Sequence, residues 1–284
     1  MADFEWSPLL AEHYIEQVAA GMTVDMLMTH RNEWIAIGPQ DTIETATERM
    51  RGYFDQLPVV DGETVHGLLL RSDIQDSATP TDLVAQHVRC GETIGVVPQR
   101  AGLDQAVEIL RSNQACFVRD TTTGDYCGLL HFADLNKQAF RMYCYMWISA
   151  IEMGMADFVS RGVPNSSDWL RYLAEHRQVQ VLGRLEFDRR NNVELSDVET
   201  LELSDLVKVM GSNGSLLGQL GVSKTQYEEC SKKVVTFRND IMHPVRAIIR
   251  RHEDVNQLHG RLEQVHKLRS MVLSAIQDQD HVAG

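Results

Sequence analysis

The sequence predicts two architectures in series, an α/β front half built from a duplicated unit and an all-helical back half. Three observations predict this. Residues 23–76 and 81–137 share one order of short apolar runs and amphipathic stretches, and their closing Gly-x-x-x-x-x-Asp phrases, at Gly67 and Gly128, stand 61 residues apart. After Asn136 the strand-like runs stop and apolar residues recur at helical spacing. The charge changes too: residues 1–139 hold 21 acidic and 9 basic residues, residues 140–284 hold 19 and 18.

Each element follows from local pattern. Residues 1–20 are expected to form an N-terminal helix ahead of two units at about 21–78 and 79–138. In the first unit, 34–37 reads as a short strand, 42–51 as a helix, 56–61 as a short apolar run before a turn at Gly62, and 67–74 as a second apolar run closing on Asp73-Ile74. The second repeats this with strands at 93–97 and 115–118, a helix near 103–112, and the run from Gly128 to Asp134. Such a unit is too small to bury its sheet alone, so the two are expected to pack together. In the back half, 139–284, a helix over 140–161 carries Tyr143, Trp147, Ile151, Met155 and Phe158. Ser167 and Asp168 suit the start of a helix over about 169–190, and 203–210 reads as a short helix. Ser223 suits the start of a helix passing through residues 238–243 toward His252, and a last helix covers about 254–277. This reads as an up-and-down bundle of four long helices.

Composition narrows the class. With 43% hydrophobic and 24% charged residues the chain reads as globular. No segment approaches the roughly 20 apolar residues that span a bilayer, so no membrane partner is expected. Asp3, Glu5, Glu12 and Glu16 interrupt any signal-like run at the N-terminus. Cys90, Cys116, Cys127, Cys144 and Cys230 form no CxxC pair, which argues against a disulfide framework or a zinc knuckle and for a cytoplasmic location. No metal site is expected.

One cluster carries chemistry. Arg238, Asn239 and His243 lie within six residues, followed by Pro244. Histidine titrates near neutrality and arginine offers a planar cationic fork to phosphate, a kit for breaking a phosphodiester without metal. Within 232–270 there are 9 basic against 4 acidic residues, including Arg246, Arg250 and Arg251, which suits an RNA ligand; a solvated helix face is the alternative. Asn239 and His243 are four apart and share a helix face. Arg238 and His243 are five apart, about 140° round an ideal helix, so a kink at Pro244 is expected to turn the histidine toward the arginine.

The front half resembles the CBS domain tandem, or Bateman module. The residues that carry the resemblance are Leu57-Pro58-Val59-Val60-Asp61, Gly67 through Asp73, and Gly128 through Asp134. It implies adenine nucleotide binding (AMP, ADP or ATP) in clefts between the units, with Asp73 and Asp134 accepting from ribose hydroxyls and Pro58 in the same motif. The hydroxyl that the family presents to phosphate is replaced by Leu70 in one unit and His131 in the other. His131 can donate to a phosphate and Leu70 cannot, so at most one good site is expected, on the Asp134 side. The alternative is that both aspartates are caps or turn residues.

The back half resembles the HEPN superfamily through Arg238-Asn239-x-x-x-His243 on a late helix. The resemblance implies a metal-independent endoribonuclease with a composite site between two protomers. His243 would act as general base or acid, Arg238 would stabilise the charged phosphorane-like state, Asn239 would orient the histidine or phosphate, and Asp240 would hold the histidine. No cofactor is implied for catalysis; the adenine nucleotide is a regulatory ligand. The expected partners are RNA (single-stranded or loop, such as tRNA or mRNA) and a second copy of the chain, in a defence or stress setting. Whether an antitoxin partner exists is left open. The alternative function is a non-catalytic adaptor, with CBS nucleotide sensing and a HEPN dimerisation or RNA-binding module.

Overall fold

The computed structural model describes residues 8–52, 54–75, 78–90, 93–192 and 196–283. Asp3 and Glu5 lie outside the described residues. Two compact units emerge among the described residues: 20–140 with 249–259, and 8–19 with 141–248 and 260–283. The expected division at 138/139 therefore misplaces one segment, because 249–259 folds with the α/β unit. Asn136 holds it there, donating from Nδ2 to the Ile249 carbonyl at 2.8 Å and accepting the Ile249 N–H at 3.0 Å.

The α/β unit repeats its elements. The first copy contains β1 (Thr29–His30), α2 (Ile43–Met50), β2 (Gln56–Asp61), β3 (Thr64–Leu70) and α3 (Arg71–Gln75), following α1 (Pro8–Gly21). The second contains β4 (Val96–Pro98), α4 (Leu103–Ser112), β5 (Ala115–Arg119) and β6 (Tyr126–His131). Thr42 caps α2 by accepting the Thr45 N–H, and every third or fourth residue of α2 (Ile43, Ala46, Met50) is buried. The copies exchange edges. The first copy's β1 pairs with β6 in a sheet ordered β1-β6-β5-β4, while Arg89 bridges back onto Leu68 of β3. Reciprocal pairing is how two small sheets avoid bare edges.

The matched glycines are needed for this exchange. A Cβ on Gly67 would run into the Arg89 carbonyl, and one on Gly128 into the Met28 side chain. Strand period 2 then sorts β3 between two cores. Leu69 joins Ile37, Met50, Leu57 and Val59, whereas Leu68 and Leu70 join Ile94, Ala115 and Phe117 of the second copy.

The expected strand at 34–37 does not form; only Ile37 bridges to Val59. A 3-10 turn at Arg31–Glu33 precedes it, held by the His30 N–H on the Glu33 carboxylate, and the Trp34 indole donates to the Thr29 carbonyl at 3.1 Å. That local closure takes Trp34 out of the sheet.

The other unit is helical. Its long helices are α5 (Gln138–Gly162), α7 (Glu175–Arg190), α10 (Lys224–Met242) and α11 (Asp254–Ala283), with short α6 (Ser166–Leu170), α8 (Leu203–Ser212) and α9 (Gly214–Gln219) between. The ends of α5 and α11 cross into the α/β unit. Tyr143, Trp147, Ile151, Met155 and Phe158 of α5 are all buried, and Gly154 lets Val272 of α11 approach closely. The burial of α10 falls on Tyr227, Cys230, Val234, Phe237 and Ile241, spaced by three and four.

The helix expected over 169–190 is broken into α6 and α7, although no Gly or Pro stands at the break. Turn hydrogen bonds join Tyr172 to Trp169 and Leu173 to Leu170, and the Gln178 side chain donates to the Leu173 carbonyl. Both Trp169 and Leu173 are buried around this turn. The helix expected to reach His252 stops at Met242, with His243 as its C-cap at φ −100°, ψ 87°. Pro244 is the reason, since the residue before proline is disfavoured in the helical region.

Candidate functional site

A cleft of 230 Å³ opens between the two copies of the α/β unit. Its first wall is β3, which presents Leu68 and Leu70, continuing to Ser72. The second is the end of α4 and the start of β5, with Ser112, Asn113, Gln114 and Ala115. Arg89 also lines the cleft and is fixed to the first wall. Its backbone exchanges two hydrogen bonds with Leu68, both 2.9 Å. Its guanidinium grips Asp73 with a fork, Nε to Oδ2 and Nη2 to Oδ1, both at 2.6 Å. Such bidentate pairs fix geometry as well as charge. Asn113 is locked by donating to the Ile109 carbonyl and accepting the Gly95 N–H. Thr93 and His252 complete the lining. A cation, two hydroxyl types and an amide over an apolar floor can orient a small anionic ligand.

The nucleotide residues expected from sequence are divided by this geometry. Asp73 stands beside the cleft, engaged by Arg89. Asp134 does not line it. Its Oδ2 accepts the His131 N–H at 2.7 Å and its Oδ1 meets Lys137 at 3.0 Å, so it closes the 3-10 turn that follows β6. That is capping behaviour, the alternative role for these aspartates. His131 accepts the Ala133 N–H at Nδ1, and its Nε2 is buried without a hydrogen-bond partner. Burial holds the His131 pKa below its ordinary value, with the Asp134 and Asp55 charges opposing and His252 assisting. Pro58 is buried in β2 opposite Leu68 and does not line the cleft. This cleft thus lies beside Asp73.

The Arg-His cluster sits at the end of α10. Arg238 is half-buried; Asn239 and His243 are exposed. With the helix ended at Met242, His243 lies beyond the last helical residue and does not share a helix face with Asn239. Asp240 is not paired with the histidine. Its Oδ2 accepts from Arg261 of α11 at 2.9 Å. Arg246, Arg250 and Arg251 are exposed, with Arg246 in the helical unit and the other two in the α/β unit. The N–H groups of Arg250 and Arg251 both donate to Asp254, which holds the Asp254 carboxyl below its usual range and starts α11.

Two residues that the sequence did not assign to these sites organise them. Arg141 of α5 is 5% exposed. It donates to the carbonyls of Asp240 (3.0 Å), Ile241 (2.8 Å) and Arg246 (2.6 Å), tying off the end of α10 and the turn beyond. An arginine inside the apolar run of 140–158 was the available signal. His252 was visible only as part of a basic run, and its place in the cleft depends on tertiary structure.

Residues 24–78 match the family model of the CBS domain. This segment is a CBS domain. The second copy repeats its order of elements, so the N-terminal half has the α/β fold of a CBS pair. Solved structures similar to the chain include the CBS domain of a bacterial CNNM/CorC family Mg2+ transporter in complex with ATP, 20% identical over 45% of this chain and 91% of that one, TM-score 0.35. Another is CBSX2 in complex with AMP, 20% identical over 43% of this chain and 98% of that one, TM-score 0.37. A third is a CBS domain-containing protein of Bacillus anthracis, 16% identical over 42% and 94%, TM-score 0.37. No curated protein matches the chain.

Proposed function

We propose that the chain is a nucleotide-responsive regulator, in which the CBS pair binds an adenine nucleotide and the helical unit is the output. The observation that carries this is the cleft beside Asp73, lined by Arg89. Its 230 Å³ is somewhat below the roughly 300 Å³ at which small-molecule sites begin. The base and ribose would therefore sit inside, with phosphate on the rim, where the Arg89 side chain is 45% exposed. The Asp73 carboxylate, once released by Arg89, would accept the ribose hydroxyls, and the freed guanidinium would meet phosphate. This exchange lets the site lack the hydroxyl that Leu70 replaces. Calorimetry with AMP, ADP and ATP tests it. Binding that is lost in Asp73→Asn and weakened in Arg89→Ala supports the reading; millimolar nucleotide giving no heat on the wild-type chain sinks it.

The second reading makes the output an endoribonuclease of HEPN type. What favours it is the exposure of the His243 and Asn239 side chains at the C-terminal end of α10, with Arg246 close by in sequence. His243 would take the proton from an RNA 2′-hydroxyl, whose oxygen attacks the adjacent phosphorus as the 5′-oxygen leaves and takes up a proton from the imidazolium so formed or from water. The products are a 2′,3′-cyclic phosphate and a 5′-hydroxyl. Arg238 would balance the charge on phosphorus. Since Asp240 is held by Arg261, the group orienting the histidine would come from a second copy. Cleavage of RNA in EDTA that disappears in His243→Ala supports this; binding without cleavage returns the helical unit to an adaptor.

A further inference from the structure

The cleft borrows one wall from the far end of the chain. His252 lines it beside Ser112 and Asn113, though it follows them by well over a hundred residues. Its Nε2 lies 2.7 Å from the Leu110 carbonyl oxygen. Leu110 belongs to the last turn of α4, where carbonyls lack helical partners, so His252 is a C-terminal cap. A carbonyl only accepts, which assigns the proton to Nε2 and leaves Nδ1 of the neutral ring as an acceptor. The ring also packs against Phe132, centroids 5.8 Å apart.

The segment around it is clamped to the same unit. Asn136 holds both backbone groups of Ile249, Arg111 donates to Asn256 at 3.1 Å, and His259 meets Glu108 at 3.1 Å. Val255 is fully buried and Leu258 2% exposed. Residues 249–259 are therefore part of the nucleotide module by packing, while the chain just before them carries His243, nine residues upstream of His252.

We propose that His252 is a ligand-contacting residue of the cleft and that, through it, occupancy is read by the segment that leads back to His243. This rests on the nucleotide reading above. A ligand shifts an equilibrium only through contacts that differ between two states. A nucleotide lying against Ser112 and Asn113 meets the His252 ring on the same wall, so the bound state gains a contact to this side chain. The relay is covalent continuity: whatever stiffens residues 249–252 stiffens the turn they close.

Hydrogen exchange on the full chain tests this, with AMP or ATP at saturation defined by calorimetry. The expected result is slowed exchange at 68–72, at 112–115, and also at 243–256. In His252→Ala the affinity falls about fivefold, as for loss of one neutral hydrogen bond accepted by Nδ1 from base or ribose, and 243–256 ceases to respond. His252→Gln, whose amide can still reach the Leu110 carbonyl, keeps the fold and part of the response. Protection at 68–72 and 112–115 with 243–256 unchanged in the wild type overturns the relay while leaving nucleotide binding intact. No nucleotide binding at all overturns the reading beneath it and the relay together.

Discussion

Replacing Arg141 with methionine keeps the apolar stem and removes the guanidinium. Arg141 serves three carbonyls at the end of α10, and these differ in their access to water. Those of Asp240 and Arg246 lie on partly buried contacts that water can reach after the change. The contact to Ile241 is buried, so that carbonyl is left without a partner. An unsatisfied buried acceptor costs about 1–3 kcal/mol, and each charge-assisted bond exchanged for water costs a fraction more, giving about 2–4 kcal/mol in all. For a unit of this size that lowers the melting temperature by about 4–16 °C. Thermal unfolding by far-UV circular dichroism measures it, and hydrogen exchange at 239–247 locates it. A melting temperature within a degree of wild type, with unchanged exchange at the α10 terminus, would refute the claim that Arg141 holds this end together. Arg141→Lys is expected to recover only part of the loss, because one ammonium lacks the fork that reaches both Ile241 and Arg246.

Other outcomes rest on the same geometry. His131, held neutral by burial, has a folded pKa below its unfolded one, so the unfolded chain takes up a proton first as pH falls. Its stabilising contribution is complete above about pH 6.5 and is lost below it. His131→Asn keeps a cap acceptor and should flatten that part of the urea-midpoint profile between pH 7.5 and 5; an unchanged slope rejects the assignment. Gly67→Ala places a methyl group against the Arg89 carbonyl and is expected to cost about 1–3 kcal/mol and to weaken nucleotide binding, read by melting and calorimetry. A fully stable variant would contradict the close approach. Among the cysteines, exposed Cys90 should react first with a thiol reagent at pH 8, whereas burial pushes the Cys116 thiol up to about 12 and keeps it silent until unfolding. Mass mapping of the first labelled site decides this.

The duplicated α/β unit was legible from residue order alone. The 61-residue offset, the caps and the period-2 and period-3.6 patterns are local properties, and α4 falls at Leu103–Ser112, where the pattern put it. Arg238, His243 and Asp73 were also legible as chemical types. Their partners were not. Asp240 with Arg261, Asp73 with Arg89, Arg141 on the α10 carbonyls and His252 in the cleft all join residues distant in sequence. The break between α6 and α7 had no breaker residue to announce it. By itself the sequence determined the order of the repeated unit, helices such as α2 and α4, and which residue types could do chemistry, because propensity, capping and periodicity act over a few residues. Only the tertiary structure decided which carboxylate is already paired, which side chain lines the cleft and where the late helix halts its histidine. Burial and charge pairing depend on what packs from elsewhere in the chain, and short-range pattern holds no record of that.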